Sequence, residues 1–127
     1  MEIGLKKEVY SEATEENTAQ KVKSGTLAVF ATPAMIALME EAAASLVEER
    51  LSEEETSVGI LMNVSHIAAT PMGMKVRAVA EITKIDGRKI IFKVEAFDEK
   101  EKIGEGVHER FIVKKEKFLA KANGKLL

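Results

Sequence analysis

One stretch, Ala31 to Arg50 (ATPAMIALMEEAAASLVEER), constrains the fold more than any other. Thr32 is a good helix N-cap, and Pro33 follows it at the first helical position, where its missing N–H costs nothing. Ala, Met and Leu then favour helix strongly. From Ala34 to Val47 apolar side chains cover nearly the whole circumference, so this helix is expected to be wrapped by other elements and not laid on a surface. It is shorter than the ~20 apolar residues a membrane span needs, and it carries Glu40 and Glu41.

The segments available to wrap it have a period of two. Leu5 to Tyr10 reads as a first strand, and Thr14 to Thr26 as loop or a short helical turn. After the helix, Val58, Ile60, Met62, Val64 and His66 share one face of a strand, with Gly59, Leu61, Asn63 and Ser65 on the other. Met74, Val76, Ala78, Ala80 and Ile82 alternate with polar residues in the next strand, and Asp86-Gly87 is a two-residue hairpin signal. Lys89 to Phe97, with Ile90, Phe92, Val94 and Ala96 inward, and Ile103 to Val113 complete four antiparallel strands, and KKEKFLAKA reads as a short amphipathic helix. The implied class is α+β: a curved antiparallel sheet wrapped around one long apolar helix, the hot-dog arrangement. A helix apolar all round needs more cover than one small sheet supplies, so a homodimer or dimer of dimers is expected.

The 127 residues suit a single domain, 1–127, and 46% hydrophobic against 31% charged residues suits a folded, soluble chain. A formal net charge of -2 gives no global electrostatic case for nucleic acid or an anionic membrane as partner. Without cysteine there is no disulfide, thiolate ligand or thiol nucleophile, which fits a cytoplasmic location, and the N-terminus carries no signal-peptide core. Two histidines, His66 and His108, with no clustered Asp, make no metal-ligand set.

Three side chains near the helix could carry chemistry. His66 falls on the apolar face of its strand, where a lone histidine is more often a satisfied core residue than a catalyst. Glu40 has Met39, Ala42 and Ala43 around it, a setting that raises a carboxylate's pKa unless donors compensate, whereas Glu41 is free to reach the rim. Thr32 is a cap first, yet a helix N-terminus also stabilises an anionic oxygen. On the last strand Arg110 shares a face with His108 and Ile112; the HER cluster reads as a structural network or as a group that orders a site or binds a phosphate. Lys114, Lys115 and Lys117 read as a solvated face, with a nucleotide contact as the alternative.

VFATPAMIALMEEA, VSHIAATPMG, GEGVHERFIV and KFLAK, in this order and separation between about Ala28 and Ala122, resemble the fluoroacetyl-CoA thioesterase branch of the hot-dog thioesterases. The resemblance implies hydrolysis of a short-chain acyl-CoA thioester to the free acid and CoA, without a cofactor beyond the CoA of the substrate and without metal. It places the catalytic set on Thr32, Glu40 and His66, and substrate contacts on the Gly59 N–H and on Arg110. Glu40 would attack the carbonyl or activate water, His66 would carry a proton to the departing thiolate, and Gly59 would meet the oxyanion. Thr32 and Glu40 are eight residues apart, roughly 12 Å along one helix, so either the substrate spans them or two subunits combine. A non-catalytic acyl-CoA-binding protein on the same fold is the alternative, and a hot-dog dehydratase ranks below it for want of a motif.

Overall fold

The computed structural model describes all 127 residues. Strand β1 (Lys6–Glu12) leads through a 3₁₀ turn (Glu15–Asn17) and the one-turn helix α1 (Ala19–Val22) into the long helix α2 (Thr32–Glu48). Four strands follow, β2 (Glu55–His66), β3 (Lys75–Asp86), β4 (Lys89–Asp98) and β5 (Lys102–Lys114), then α3 (Lys115–Asn123) and a 3₁₀ turn (Gly124–Leu126). All five strands form one antiparallel sheet in the order β1-β3-β4-β5-β2, which leaves β1 and β2 as its edges. Helix α2 packs against β1, β2, β3 and β4, giving the hot-dog fold that the apolar helix and the alternating strands imply. No helix is long and apolar enough to cross a membrane.

The core forms where the period-two faces meet the helix. Met35, Leu38, Met39, Ala42, Ala43, Leu46 and Val47 of α2 are buried together with Val76, Ala78, Ala80 and Ile82 of β3 and Ile90, Phe92, Val94 and Ala96 of β4. Each Leu, Val, Ile or Phe removed from water in this way contributes about 1.5–3 kcal/mol. Ala78 and Ala96 face each other in register, so the middle of the sheet presents methyl groups and leaves room for the helix. Glu41 stays at the exposed rim.

Two local readings need correction. Asp86 pairs with Lys89, so the two-residue loop is Gly87-Arg88, one position later than the Asp-Gly dipeptide suggests. Gly87 has φ +62° while Arg88 is not left-handed, the pattern of a type II′ turn, which needs glycine at its first central position. In β2 a bulge interrupts the register between Gly59 and Leu61, leaving Ile60 without a partner on β5. One extra residue exchanges the two faces. Ser57 and Gly59 therefore share the helix-facing side with Met62, Val64 and His66, and Ile60, expected inward, is 51% exposed.

Gly106 on β5 lies so close to β2 that a Cβ there would collide with the Asn63 carbonyl and the Val64 Cα, both backbone. Gly106→Ala is expected to lower stability by about 3 kcal/mol. Gly87→Ala, whose added methyl meets nothing, should cost only the left-handed strain of about 1 kcal/mol. Urea midpoints of the two variants read the difference; equal shifts would show that the β2–β5 approach is not constrained at Gly106.

Candidate active site

The first cluster forms where α2 begins and β2 ends. Thr32 is the first residue of the helix and Ala31 is its cap; no side chain caps the first turn. The expectation that Thr32 is the N-cap is therefore incorrect. Its hydroxyl lies 2.7 Å from Nδ1 of His66, the last residue of β2, and is committed to that ring and not to its own helix. His66 has one nitrogen held by Thr32, and its other nitrogen, Nε2, is buried without a hydrogen-bond partner. A buried polar atom left unpaired costs about 1–3 kcal/mol, so Nε2 is placed to receive a group from outside the chain. Burial pushes the His66 imidazole below its ordinary value of 6.5, with the Ala68 backbone opposing. Thr32 and His66 open onto a pocket of about 300 Å³ walled by Ala19, Ser24, Ala68 and Ala69 together with the larger Val29, Phe30 and Ile67.

Glu40 lies two helical turns farther on and belongs to a second cluster. Its surroundings are polar, not the apolar ones expected: Oε2 is 3.7 Å from Nη1 of Arg110, and the side chain is 44% exposed. It looks over Gly59, where a Cβ would stand 2.7 Å from Glu40 Oε2 and 3.2 Å from Cε1 of His108. Only a residue without a side chain lets the carboxylate lie across the strand there. Within one chain no hydrogen bond or ion pair joins Glu40 to the Thr32–His66 pair.

Below Gly59, Arg110 and His108 hold the strand on both sides of the bulge. Arg110 donates from Nε to the Ser57 hydroxyl at 2.8 Å and from Nη2 to the Ser57 carbonyl at 3.0 Å. His108 Nδ1 lies 2.8 Å from the Leu61 carbonyl, which can only accept, so Nδ1 carries the proton and Nε2 accepts from Arg110 Nη1 at 3.2 Å. Burial pushes the His108 ring below its ordinary value, with the Leu61 bond opposing and the Arg110 charge reinforcing. Burial also pushes Arg110 down, opposed by the carboxylates of Glu40 and Glu48. Arg110 is 7% exposed with its donors spent inside, so it orders Gly59 and faces Glu40; it does not reach a phosphate in solvent. Ser57 was not legible as a site residue because the bulge hides which way it points, and no three metal-binding side chains gather anywhere in the chain.

Comparison with known proteins supplies a context for this geometry. Residues 13–116 match the family of fluoroacetyl-CoA-specific thioesterases. The fluoroacetyl-CoA thioesterase of Streptantibioticus cattleyicolor is 41% identical over 97 residues, which cover 76% of this chain and 70% of that protein. A solved structure of the fluoroacetyl-CoA thioesterase FlK superimposes with a TM-score of 0.94 at 33% identity, covering 98% of this chain and 97% of the other. A hot-dog-like protein from Thermanaerovibrio acidaminovorans shares the fold alone, with a TM-score of 0.88 at 19% identity over 97% of this chain and 91% of that one. A 33–41% match over most of the chain, on one fold throughout, identifies the protein as a member of the fluoroacetyl-CoA-specific thioesterase family, hot-dog enzymes that hydrolyse thioesters.

Proposed function

We propose that this chain hydrolyses a short-chain acyl-CoA thioester to the free acid and CoA, using Thr32, Glu40 and His66. The observation that carries the reading is His66: one ring nitrogen is fixed by Thr32, and the other is buried, unpartnered and beside a pocket. With Nδ1–H donating to the Thr32 hydroxyl, the Nε2 lone pair is free to take up a proton released by the hydrolytic water and to pass it to the departing thiolate. Glu40 supplies the negative charge that acts on the carbonyl carbon, by direct attack or by taking a proton from water. The oxyanion is met by the Gly59 N–H and by first-turn N–H groups of α2 that no side chain caps. The pocket, about 300 Å³ and lined mostly by apolar residues, has room for a short acyl group such as the fluoroacetyl of the relative's substrate.

The two clusters become one site when two copies pair. β2 is an edge strand of 12 residues with Ile60 and Leu61 exposed, whereas the edge at β1 is short and carries Lys6, Lys7, Glu8 and Glu12. A long apolar edge invites strand pairing and a charged one resists it. If two β2 strands pair antiparallel about a two-fold axis passing between Met62 and Asn63, Gly59 of one copy comes opposite His66 of the other. Glu40 and Gly59 then face the partner's Thr32–His66 pair, and a homodimer holds two composite sites.

Glu40→Ala and His66→Ala are each expected to reduce thiol release from acetyl-CoA by at least ~100-fold while the protein stays folded. Refolding the two variants together should restore about a quarter of wild-type activity, because half of the dimers are mixed and each mixed dimer has one intact site. Near-wild-type turnover in the Glu40 variant would remove its assigned role, and no recovery on mixing would place the whole site within one subunit. Burial disfavours the His66 imidazolium, so the neutral ring persists to lower pH than in solution. The acid limb of kcat/KM should accordingly fall below the ordinary value of 6.5; a limb above it would contradict a desolvated His66.

A further inference from the structure

In the sheet order β5 and β4 lie between β2 and β3, so the connection joining those two strands, residues 67–74, must cross three interstrand gaps, roughly 14 Å. It does so over the turn between β4 and β5. Ile67 N donates to the Ile103 carbonyl at 2.7 Å where the connection leaves β2, and Lys75 N donates to Glu99 Oε2 at 2.8 Å where it enters β3. Midway, Thr70 is fully buried and its hydroxyl donates to Asp98 Oδ2 at 2.9 Å. A buried hydroxyl needs a partner, and the last residue of β4 supplies one. The turn itself does not require this bond. Asp98 Oδ1 already accepts from the N–H groups of Lys100 at 2.8 Å and Glu101 at 2.9 Å, which leaves Oδ2 for the connection. Burial works to raise the Asp98 carboxyl, but these N–H groups, the Thr70 hydroxyl and the Lys100 charge outweigh it. They hold the group below its ordinary value of 3.8, so it remains an ionised acceptor at neutral pH.

Thr70 joins the two walls of the pocket beside His66. One wall is Ile67, Ala68 and Ala69, the residues between His66 and Thr70; the other includes Val29 and Phe30, which lead into Thr32. Phe30 N donates to the Thr70 carbonyl at 2.9 Å, and Val29 bridges to Pro71. The far side of the same segment is held by Asn17, whose carbonyl accepts from Ala31 N at 2.9 Å. With its hydroxyl Thr70 grips the β4–β5 turn, and with its carbonyl it fixes the approach to α2. We propose that Asp98 and Thr70 form a clamp of positioning residues for hydrolysis: the carboxylate, fixed by its turn, anchors Thr70, and Thr70 holds His66, Thr32 and the pocket walls in register. The assignment rests on the thioesterase reading. Neither residue lines the pocket, so the clamp acts through the residues it holds. A misplacement of about 1 Å caused far from the chemistry can cost on the order of 100-fold in rate, so a hydrogen bond remote from the thioester can govern turnover.

Three variants test the clamp. Thr70→Val removes the hydroxyl, keeps the shape and leaves the turn's own bonds intact, and Thr70→Ser restores the hydroxyl. Asp98→Asn removes the charge and retains an acceptor for Lys100 and Glu101. The first readout is the His66 titration followed by NMR without substrate, with His108, held by Leu61 and Arg110, as internal reference. Burial lowers His66 more than the Ala68 backbone raises it, and no charge within the chain contributes. Loosening the walls should therefore hydrate the ring and raise its midpoint toward 6.5. Glu40 of the partner subunit, in the dimer proposed above, acts alike on wild type and variants. In Thr70→Val, kcat for acetyl-CoA should fall about tenfold with KM changed less than about twofold, and Thr70→Ser should recover both the midpoint and kcat. Asp98→Asn should move both in the same direction as Thr70→Val, and it carries the test if Thr70→Val does not fold. An unmoved His66 midpoint in the folded variant overturns the clamp, and a raised midpoint with wild-type kcat overturns its part in hydrolysis. If the wild type releases no thiol, a raised midpoint in the variant still supports the clamp, and the thioesterase reading fails alone.

Discussion

Arg110 and His108 grip β2 on either side of Ile60, and the placement of everything on the helix-facing side of that strand depends on this grip. The guanidinium holds Ser57 through hydroxyl and carbonyl, while the imidazole holds the Leu61 carbonyl. Between them the strand carries one more residue than β5 opposite, and the face exchange at that point turns Gly59 toward Glu40. Without the bulge, regular alternation from Gly59 would turn His66 away from α2 and part it from Thr32. The extra residue is thus what allows one strand to serve both clusters.

Holding the strand in this way has an energetic cost that the local chemistry offsets. A guanidinium taken out of water loses several kcal/mol of hydration, and one carboxylate at 3.7 Å, itself half in solvent, does not restore it. Hydrogen bonds make up the difference: Ser57 accepts twice and the His108 ring accepts once. His108 can accept only because its proton is on Nδ1, and its depressed basicity keeps the ring neutral beside the cation. The ring also stacks on Phe92 with centroids 5.9 Å apart, which joins the polar group to the core. A lysine could not replace Arg110, since a single ammonium cannot meet Ser57, His108 and Glu40 from one planar fork.

The parts of this structure that were legible in the sequence are those decided by local periodicity. Buried Val76, Ala78, Ala80 and Ile82, and likewise Ile90, Phe92, Val94 and Ala96, alternate as written, and α2 ends within two residues of where its apolar run stops. The bulge had one mark in the sequence, the isolated Gly59 inside a strand pattern, but the apolar residues that follow it continue the alternation and hide the extra residue. Thr32 was misread for a related reason. A threonine before proline is a good cap by every local rule, and only a histidine 34 positions away takes its hydroxyl elsewhere. Glu40 looked buried because its chain neighbours are apolar, whereas its neighbours in space come from β2 and β5. In each case a contact distant in sequence overrode a sound local preference.

The division of the site follows from the fold itself. A single helix crossing a sheet presents groups at its start and middle that are separated by its rise, and no side-chain rotamer closes roughly 12 Å. Thr32 and Glu40 therefore cannot be brought together by improving the packing of one chain, because both are held by the same rigid element. A thioester has one carbonyl, and groups that act on it must converge within hydrogen-bonding distance. The asymmetry of the two sheet edges offers a way to achieve this. β1 carries charges that discourage further pairing, while β2 leaves Ile60 and Leu61 in solvent beside the residues that need a partner. In the homodimer proposed above, covering those side chains and completing the site are one event.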